Sequence, residues 1–73
     1  MKYIFTHHAK LRMLQRNINE ETVKYVIESP DSLNIRYDEE IEVVKDMGER
    51  SLKVVYNQTK NIINIITVYW IRK

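Results

Sequence analysis

Basic residues recur at a helical interval near the start of the sequence, in the stretch THHAKLRMLQR at residues 6–16. On an α-helix, His8, Arg12 and Arg16 would lie at i, i+4 and i+8 along one edge. The segment contains no acid to offset this stack of like charges, which costs an isolated helix roughly a few tenths of a kcal/mol per pair. We therefore expect an anion from outside the helix to bind against this edge.

The chemistry that suits this edge is phosphodiester cleavage without a metal ion. His8 would act as general base or acid, and the guanidiniums of Arg12 and Arg16 would bind the scissile phosphate and stabilise the charge of the transition state. Two plainer interpretations stand beside this one. His8 could be a surface residue without a role, and the two arginines could pair with the acidic middle of the chain.

The neighbouring His7 belongs to a different side of the same helix. Helical geometry places it with Leu11 and Leu14, so we expect it to be a packing residue. Adjacent side chains diverge on a helix, so His7 and His8 make a poor metal site. The sequence has no metal-ligand spacing and no glycine-rich phosphate loop, and we expect no metal or cofactor.

The last apolar segment offers a second polar pair. Under regular strand alternation, Thr67 and Tyr69 share one face with Ile63 and Ile65. Placed against the first helix, their hydroxyls could complete the site by orienting the substrate or by transferring a second proton. The alternative is that Thr and Tyr are simply good strand residues.

Charge is unevenly distributed along the chain, whose net charge is +2. Residues 1–16 and 50–73 carry basic residues and no acid, whereas residues 38–49 are dominated by acids. If the two ends meet in the fold, they form a basic surface that suits a phosphate-bearing partner such as RNA. The charge counts alone also fit a solvated surface of mixed charge.

Two helices are predicted to carry the basic edge and to pack beside it. Thr6 is a good N-cap for a helix from about His7 to Arg16, which Asn17 can end in a left-handed conformation. Asn19 caps a second helix, with acids in its first turn and an apolar stripe, and Pro30 ends it.

The rest of the chain has the period of two that is typical of strands. Short turns at residues 47–50 and 57–61 separate three or four antiparallel strands, and residues 3–5 form either a short first strand or an extended arm. Residues 62–71, apolar on both faces, should lie inside the sheet. The predicted fold is a single α+β domain over residues 1–73, with two N-terminal helices on one face of a three- to four-stranded antiparallel sheet.

Composition excludes several classes of protein. There is no cysteine, no apolar run long enough to span a membrane, and no apolar core of a signal peptide at the start. These features favour the cytoplasm. A chain of this length buries a limited core, which makes a homodimer one expectation.

The motif His8-Ala9-x-x-Arg12-Met13-x-x-Arg16-x-Ile18, with Thr6 two residues before the histidine, resembles the opening of a family of short, uncharacterised prokaryotic proteins. The segments LKVVY at residues 52–56 and ITVY at residues 66–69 fit the same pattern. By resemblance, this family is similar in fold to RelE-type toxins and barnase-like ribonucleases, which cut RNA without metal through its 2′-hydroxyl. The resemblance implies a site formed by the residues His8, Arg12, Arg16, Thr67 and Tyr69.

Three hypotheses follow. The first is a metal-independent endoribonuclease, the toxin of a toxin–antitoxin pair, with RNA and a cognate antitoxin protein as partners. The second is a non-catalytic module that binds nucleic acid or protein through the same edge. The third is a structural or regulatory protein in which Arg12 and Arg16 pair with acids of residues 38–49 and close the fold.

Overall fold

A computed structural model describes residues 1–72 of the chain. Its elements are, in order, β1 (Lys2–Phe5), α1 (His7–Arg16), α2 (Glu20–Glu28), β2 (Ser32–Ile35), β3 (Ile41–Asp46), β4 (Arg50–Thr59) and β5 (Ile62–Arg72). None of the described helices has the length and apolarity to cross a membrane.

The five strands form one mixed sheet in the order β1-β5-β4-β3-β2. Strands β2 to β5 pair antiparallel, but β1 pairs parallel with β5, so the predicted three- to four-stranded antiparallel sheet is wrong. The parallel pair arises because the chain passes through both helices and the other strands before β5 returns beside β1. β5 does lie inside the sheet, as its two apolar faces indicate.

Helix α1 has the boundaries that its sequence predicts. The Thr6 hydroxyl accepts a hydrogen bond from the Ala9 N–H at 3.1 Å, which caps the N-terminus. Asn17 ends the helix in the left-handed region with a φ of 55°, and its N–H bonds to carbonyls of the last turn. Thr6 also fixes α1 to the sheet, because its N–H donates to the Ile65 carbonyl and its hydroxyl donates to the Ile66 carbonyl, both at 3.2 Å.

Helix α2 is likewise capped as predicted. The Asn19 side chain accepts from the Thr22 N–H at 2.8 Å, and acids occupy the first turn, where they complement the helix dipole. The helix ends at Glu28, just before Ser29 and Pro30. Both helices pack on the same face of the sheet, which we call the helix face. The core between the helices and the sheet consists of Ala9, Met13, Ile18, Val23, Val26, Val43, Leu52, Val54, Tyr56, Ile63, Ile65 and Val68.

A β-bulge interrupts the long β4–β5 pair. Val55 is opposite Thr67 and Tyr56 is opposite Ile65, so Ile66 is an extra residue of β5. The bulge reverses the alternation of side chains along the strand. Thr67 and Tyr69 therefore point away from the helices, and the expectation that they share a face with Ile63 and Ile65 is wrong.

The buried side of α1 also differs from the prediction. Ala9 and Met13 face the core, whereas Leu11 and Leu14 are 42% and 80% exposed, and His7 is exposed as well. The predicted packing role of His7 is therefore wrong. The small Ala9 side chain is fully buried against the sheet, and only a narrow side of the helix is covered because α1 packs mainly on β5.

Candidate functional site

The three basic residues of the motif lie along one edge of α1, which we call the basic edge. His8 is exposed, and Arg12 and Arg16 are half-buried where the helix meets the sheet. A helix rises about 1.5 Å per residue, so Arg12 is about 6 Å along the axis from His8 and Arg16 is about 12 Å from it. Arg12 is therefore the guanidinium nearer to His8, and Arg16 lies one turn further along the helix.

Arg12 is held by a neighbour on its own helix. Its Nη1 donates a hydrogen bond to Oε1 of Gln15 at 2.9 Å, three residues further on. Within residues 1–72, Arg12 forms no ion pair with any acid. Its positive charge thus remains available to a ligand at the surface.

Arg16 has a more unusual environment. Its Nη1 atom is buried and has no hydrogen-bond acceptor among the described residues. The carbonyl of Arg16 accepts a hydrogen bond from Nε1 of Trp70 at 3.4 Å, which joins the end of α1 to the end of β5. A buried guanidinium N–H without an acceptor is costly, so Arg16 contributes less to stability here than a paired arginine would.

Two further arginines lie near this end of α1. The guanidinium of Arg50 lies 4.2 Å from the centre of the Trp70 ring, and Arg50 is opposite Arg72 in the β4–β5 pair. The sequence prediction did not assign either arginine to the site. The signal that could have found them is the absence of acids at both ends of the chain.

The remaining two predicted site residues lie elsewhere. Thr67 and Tyr69 occupy the side of the sheet away from the helices, which we call the open face. Tyr69 neighbours Lys53, whose Nζ lies 5.6 Å from the centre of the tyrosine ring. The structure therefore brings His8, Arg12 and Arg16 together on one edge and separates them from Thr67 and Tyr69 by the sheet.

The open face carries its own charge cluster. Glu42 binds Nη1 of Arg36 at 3.2 Å and Nζ of Lys53 at 3.1 Å. Burial lowers the pKa of Lys53, but hydrogen bonds with Glu42 and Tyr69 raise it by more, so the net pKa is above its ordinary value. These contacts favour a charged Lys53 that is committed to the fold.

The acidic segment pairs with basic residues of its own half of the sheet. Arg36 also contacts Asp38 and Glu40, while Lys45 contacts Asp31 at 3.5 Å and lies over the ring of Tyr25. No acid of residues 38–49 contacts Arg12 or Arg16 in the described part of the chain. The hypothesis that these arginines close the fold against the acidic segment thus gains no support.

The basic edge is an open surface. Residues 1–72 enclose no pocket, and no three His, Asp or Glu side chains among them gather in a way that could hold a metal ion. An extended polyanion is one ligand that can bind along such a surface.

Comparison with known proteins gives one match. Residues 5–70 match the model of DUF4258, a domain of unknown function. No curated protein and no solved structure matches the chain. The family match covers both helices and most of the sheet, including all five residues that the sequence predicted for the site.

Proposed function

The chain belongs to the DUF4258 family, and from its basic edge we propose that it is an RNA-binding endoribonuclease that acts without a metal ion. The observation that carries this proposal is the unequal pairing of charge. Arg36, Lys45 and Lys53 form ion pairs with acids, whereas Arg12 and Arg16 have none among residues 1–72. Unpaired guanidiniums on an open edge fit the phosphates of a single strand.

His8 would be the proton-transfer group. It is exposed in the first turn of α1, one turn from Arg12, so a phosphate bound by Arg12 lies within reach of the imidazole. In the reaction that we propose, His8 takes the proton of the RNA 2′-hydroxyl, whose oxygen attacks the adjacent phosphorus. A 2′,3′-cyclic phosphate forms, the bond to the 5′-oxygen breaks, and that oxygen takes up a proton from water or from the imidazolium.

The arginines have separate roles in this proposal. Arg12 stabilises the charge on the phosphorane-like transition state, and its hydrogen bond to Gln15 keeps the guanidinium near the helix surface. Arg16, about 12 Å from His8 along the helix axis, binds a neighbouring phosphate and fixes the position of the strand. Thr67 and Tyr69 have no part in the step, because they lie on the open face.

A toxin role would add a protein partner. An antitoxin that neutralises this activity would have to cover the basic edge, and a protein with acidic side chains at its contact surface fits that edge best. Leu11 and Leu14, exposed on the side of α1 that carries His7, would give apolar contacts to a partner that also covers that side of the helix.

A second candidate function is RNA binding without cleavage. The specific observation in its favour is that Thr67 and Tyr69 lie across the sheet from His8, so no side-chain hydroxyl of that pair can serve as the second proton-transfer group. Under this alternative the chain binds RNA in a salt-sensitive manner and releases no products.

The test is an RNA cleavage assay in EDTA with two matched variants. Removal of the His8 imidazole should lower the cleavage rate by about 10²–10⁴, the usual contribution of general acid–base catalysis. His7→Ala is the control, because it removes an imidazole that is also exposed on the same helical turn but points elsewhere. Equal loss in both variants, or none in His8→Ala, contradicts the role of His8. Binding without products from the wild type supports the second candidate.

A further inference from the structure

We propose that Arg16, Arg50 and Arg72 form a phosphate-binding site beside Trp70, at the end of α1. This inference rests on the proposed function in one respect, namely that the phosphate belongs to RNA. The three arginines come from three elements that are far apart in the sequence, α1, β4 and β5. Two contacts of Trp70, one with the Arg16 carbonyl and one with the Arg50 guanidinium, connect the first two, and Arg72 lies opposite Arg50 in the β4–β5 pair.

The first argument is the unsatisfied guanidinium of Arg16. Its Nη1 is buried, and no acceptor lies within hydrogen-bond distance among the described residues. The dipole of α1 favours a positive charge near its C-terminus and so accounts for the charge of Arg16. The dipole does not, however, give Nη1 an acceptor. Arg16 as a whole is only half-buried, so its remaining N–H groups can bind a phosphate, whose negative charge would offset the cost of the buried N–H.

The second argument is the like-charged pair at the end of the sheet. Arg50 and Arg72 are directly opposite each other in the antiparallel β4–β5 pair. Like charges in that position destabilise a sheet. Neither arginine forms an ion pair with an acid in the part of the chain that the structure describes. An anion between them would convert the repulsion into two attractive contacts.

The third argument is the way in which Trp70 holds Arg50. An arginine stacked on an aromatic ring keeps its N–H groups free in the plane of the guanidinium. Those donors match the paired oxygens of a phosphate. The indole therefore orders the side chain without using its hydrogen-bonding capacity, which reduces the entropy lost when a ligand binds.

The position of this site defines what it would do for the proposed reaction. Arg16 is about 12 Å along the helix from His8, so a phosphate bound here is not the scissile one. It would be either a neighbouring phosphodiester or a terminal phosphate of the strand. Both have the same chemistry, and the site would set which bond of the RNA lies against His8.

The experiment uses the single tryptophan of the chain as its reporter. The indole N–H gives one resonance in a ¹⁵N–¹H spectrum, and it is the group that contacts Arg16. The protein is titrated with inorganic phosphate and with a short RNA that carries either a 5′-phosphate or a 5′-hydroxyl. We expect a saturable shift of the indole resonance with phosphate. A stronger response to the 5′-phosphorylated RNA indicates a terminal phosphate, and equal responses indicate the backbone.

Arg50→Gln and Arg36→Gln are the matched variants, because each removes one exposed guanidinium and the same unit of charge. Arg50→Gln should weaken phosphate binding by about tenfold or more, the effect of one lost charge-assisted hydrogen bond, while Arg36→Gln should bind as the wild type does. The inference is overturned if the indole resonance does not shift with any ligand, or if both variants respond equally. Phosphate binding without RNA cleavage would refute the proposed function alone, and cleavage without an indole shift would refute this inference alone.

Discussion

The two edges of the sheet use charge in opposite ways. At the β2–β3 edge, Glu42 joins Arg36 and Lys53 in one cluster, and the cations of that region have acidic partners. At the other end of the molecule, Arg12 and Arg16 on α1, which packs on β5, have no acidic partner among residues 1–72. The first arrangement supports the fold. The second leaves the repulsion between the positive charges of Arg12 and Arg16 without a counter-charge, as is common where a protein binds a ligand of opposite charge.

The strand order explains why the two regions stay apart. Most acids of residues 38–49 lie in and around the β2–β3 hairpin, with Glu49 in the turn before β4, while α1 packs on β5, three strands away from β2. Neighbouring strands are about 4.8 Å apart, so side chains of the hairpin cannot reach the basic edge. The sheet itself keeps the acids of this hairpin away from Arg12 and Arg16.

The largest effect that separates the two edges should be on RNA affinity. Replacing Arg12 and Arg16 by alanine should weaken RNA binding by about a hundredfold, because each guanidinium gives a charge-assisted contact to a phosphate. The double variant Arg36→Ala and Lys45→Ala, with the same loss of charge, should bind RNA nearly as the wild type does. Fluorescence anisotropy with labelled RNA at fixed salt compares them. Equal losses of affinity in both double variants would mean that RNA binding depends only on the net charge of the protein.

The next effect concerns stability at the ion-paired edge. Glu42→Gln leaves Arg36 and the half-buried Lys53 without their shared carboxylate, so the free energy of unfolding should fall by about 1–3 kcal/mol. Urea unfolding measures the change. The control is Glu49→Gln, at an exposed position, which should change stability by less than about 0.5 kcal/mol. Similar losses in both variants would show that the cluster adds no stability.

A smaller effect of the opposite sign is expected at the basic edge. Arg16→Met keeps the length of the side chain and removes the buried Nη1, which has no acceptor. The variant should therefore be as stable as the wild type or up to about 1 kcal/mol more stable, while it binds RNA less well. Thermal unfolding measures the stability of the variant, and fluorescence anisotropy with labelled RNA measures its binding. A clear loss of stability would show that Arg16 serves the fold, as Glu42 does.

The smallest effect is a loss of stability at alkaline pH. Burial raises the pKa of Tyr56, and hydrogen bonds raise that of Lys53 despite its burial. A raised pKa in the folded state stabilises the protein below the unfolded value, about 10.0 for Tyr and about 10.5 for Lys, and this stability is lost as the pH rises further.

We therefore expect the urea midpoint to fall above about pH 10. Lys53→Met should reduce that fall, and Lys10→Met, at an exposed position on α1, should not. Identical alkaline profiles for the two variants would contradict the contribution of Lys53.

Local sequence signals predicted the helices well. Thr6, Asn17, Asn19 and Pro30 act within one turn of their own positions, so their effect can be read without knowledge of the rest of the fold. The same holds for the turns between the antiparallel strands and for the interior position of β5. The uneven charge along the chain gave only a conditional expectation, a basic surface if the two ends meet, and this stays a prediction.

The errors all involve contacts between distant parts of the chain. Residues 3–5 give no local sign of a parallel partner at residues 63–65. Nothing at Ile66 indicates a bulge, which forms where Thr6 bonds to two successive carbonyls, and the pair Thr67 and Tyr69 was therefore placed on the wrong face. The buried side of α1 depends on how closely Ala9 lets the helix approach β5, which hydrophobicity alone does not reveal.

The bond between Thr6 and Ile66 spans 60 residues, and it determines when the basic edge acquires its final form. During synthesis, α1 leaves the ribosome long before β5, the strand that orients it and that carries Trp70 and Arg72. Contacts of such high sequence separation slow the folding of a small domain. The nascent chain therefore has the residues of the proposed site but not their arrangement until nearly the whole sheet has emerged, so activity toward RNA should appear only after translation of β5.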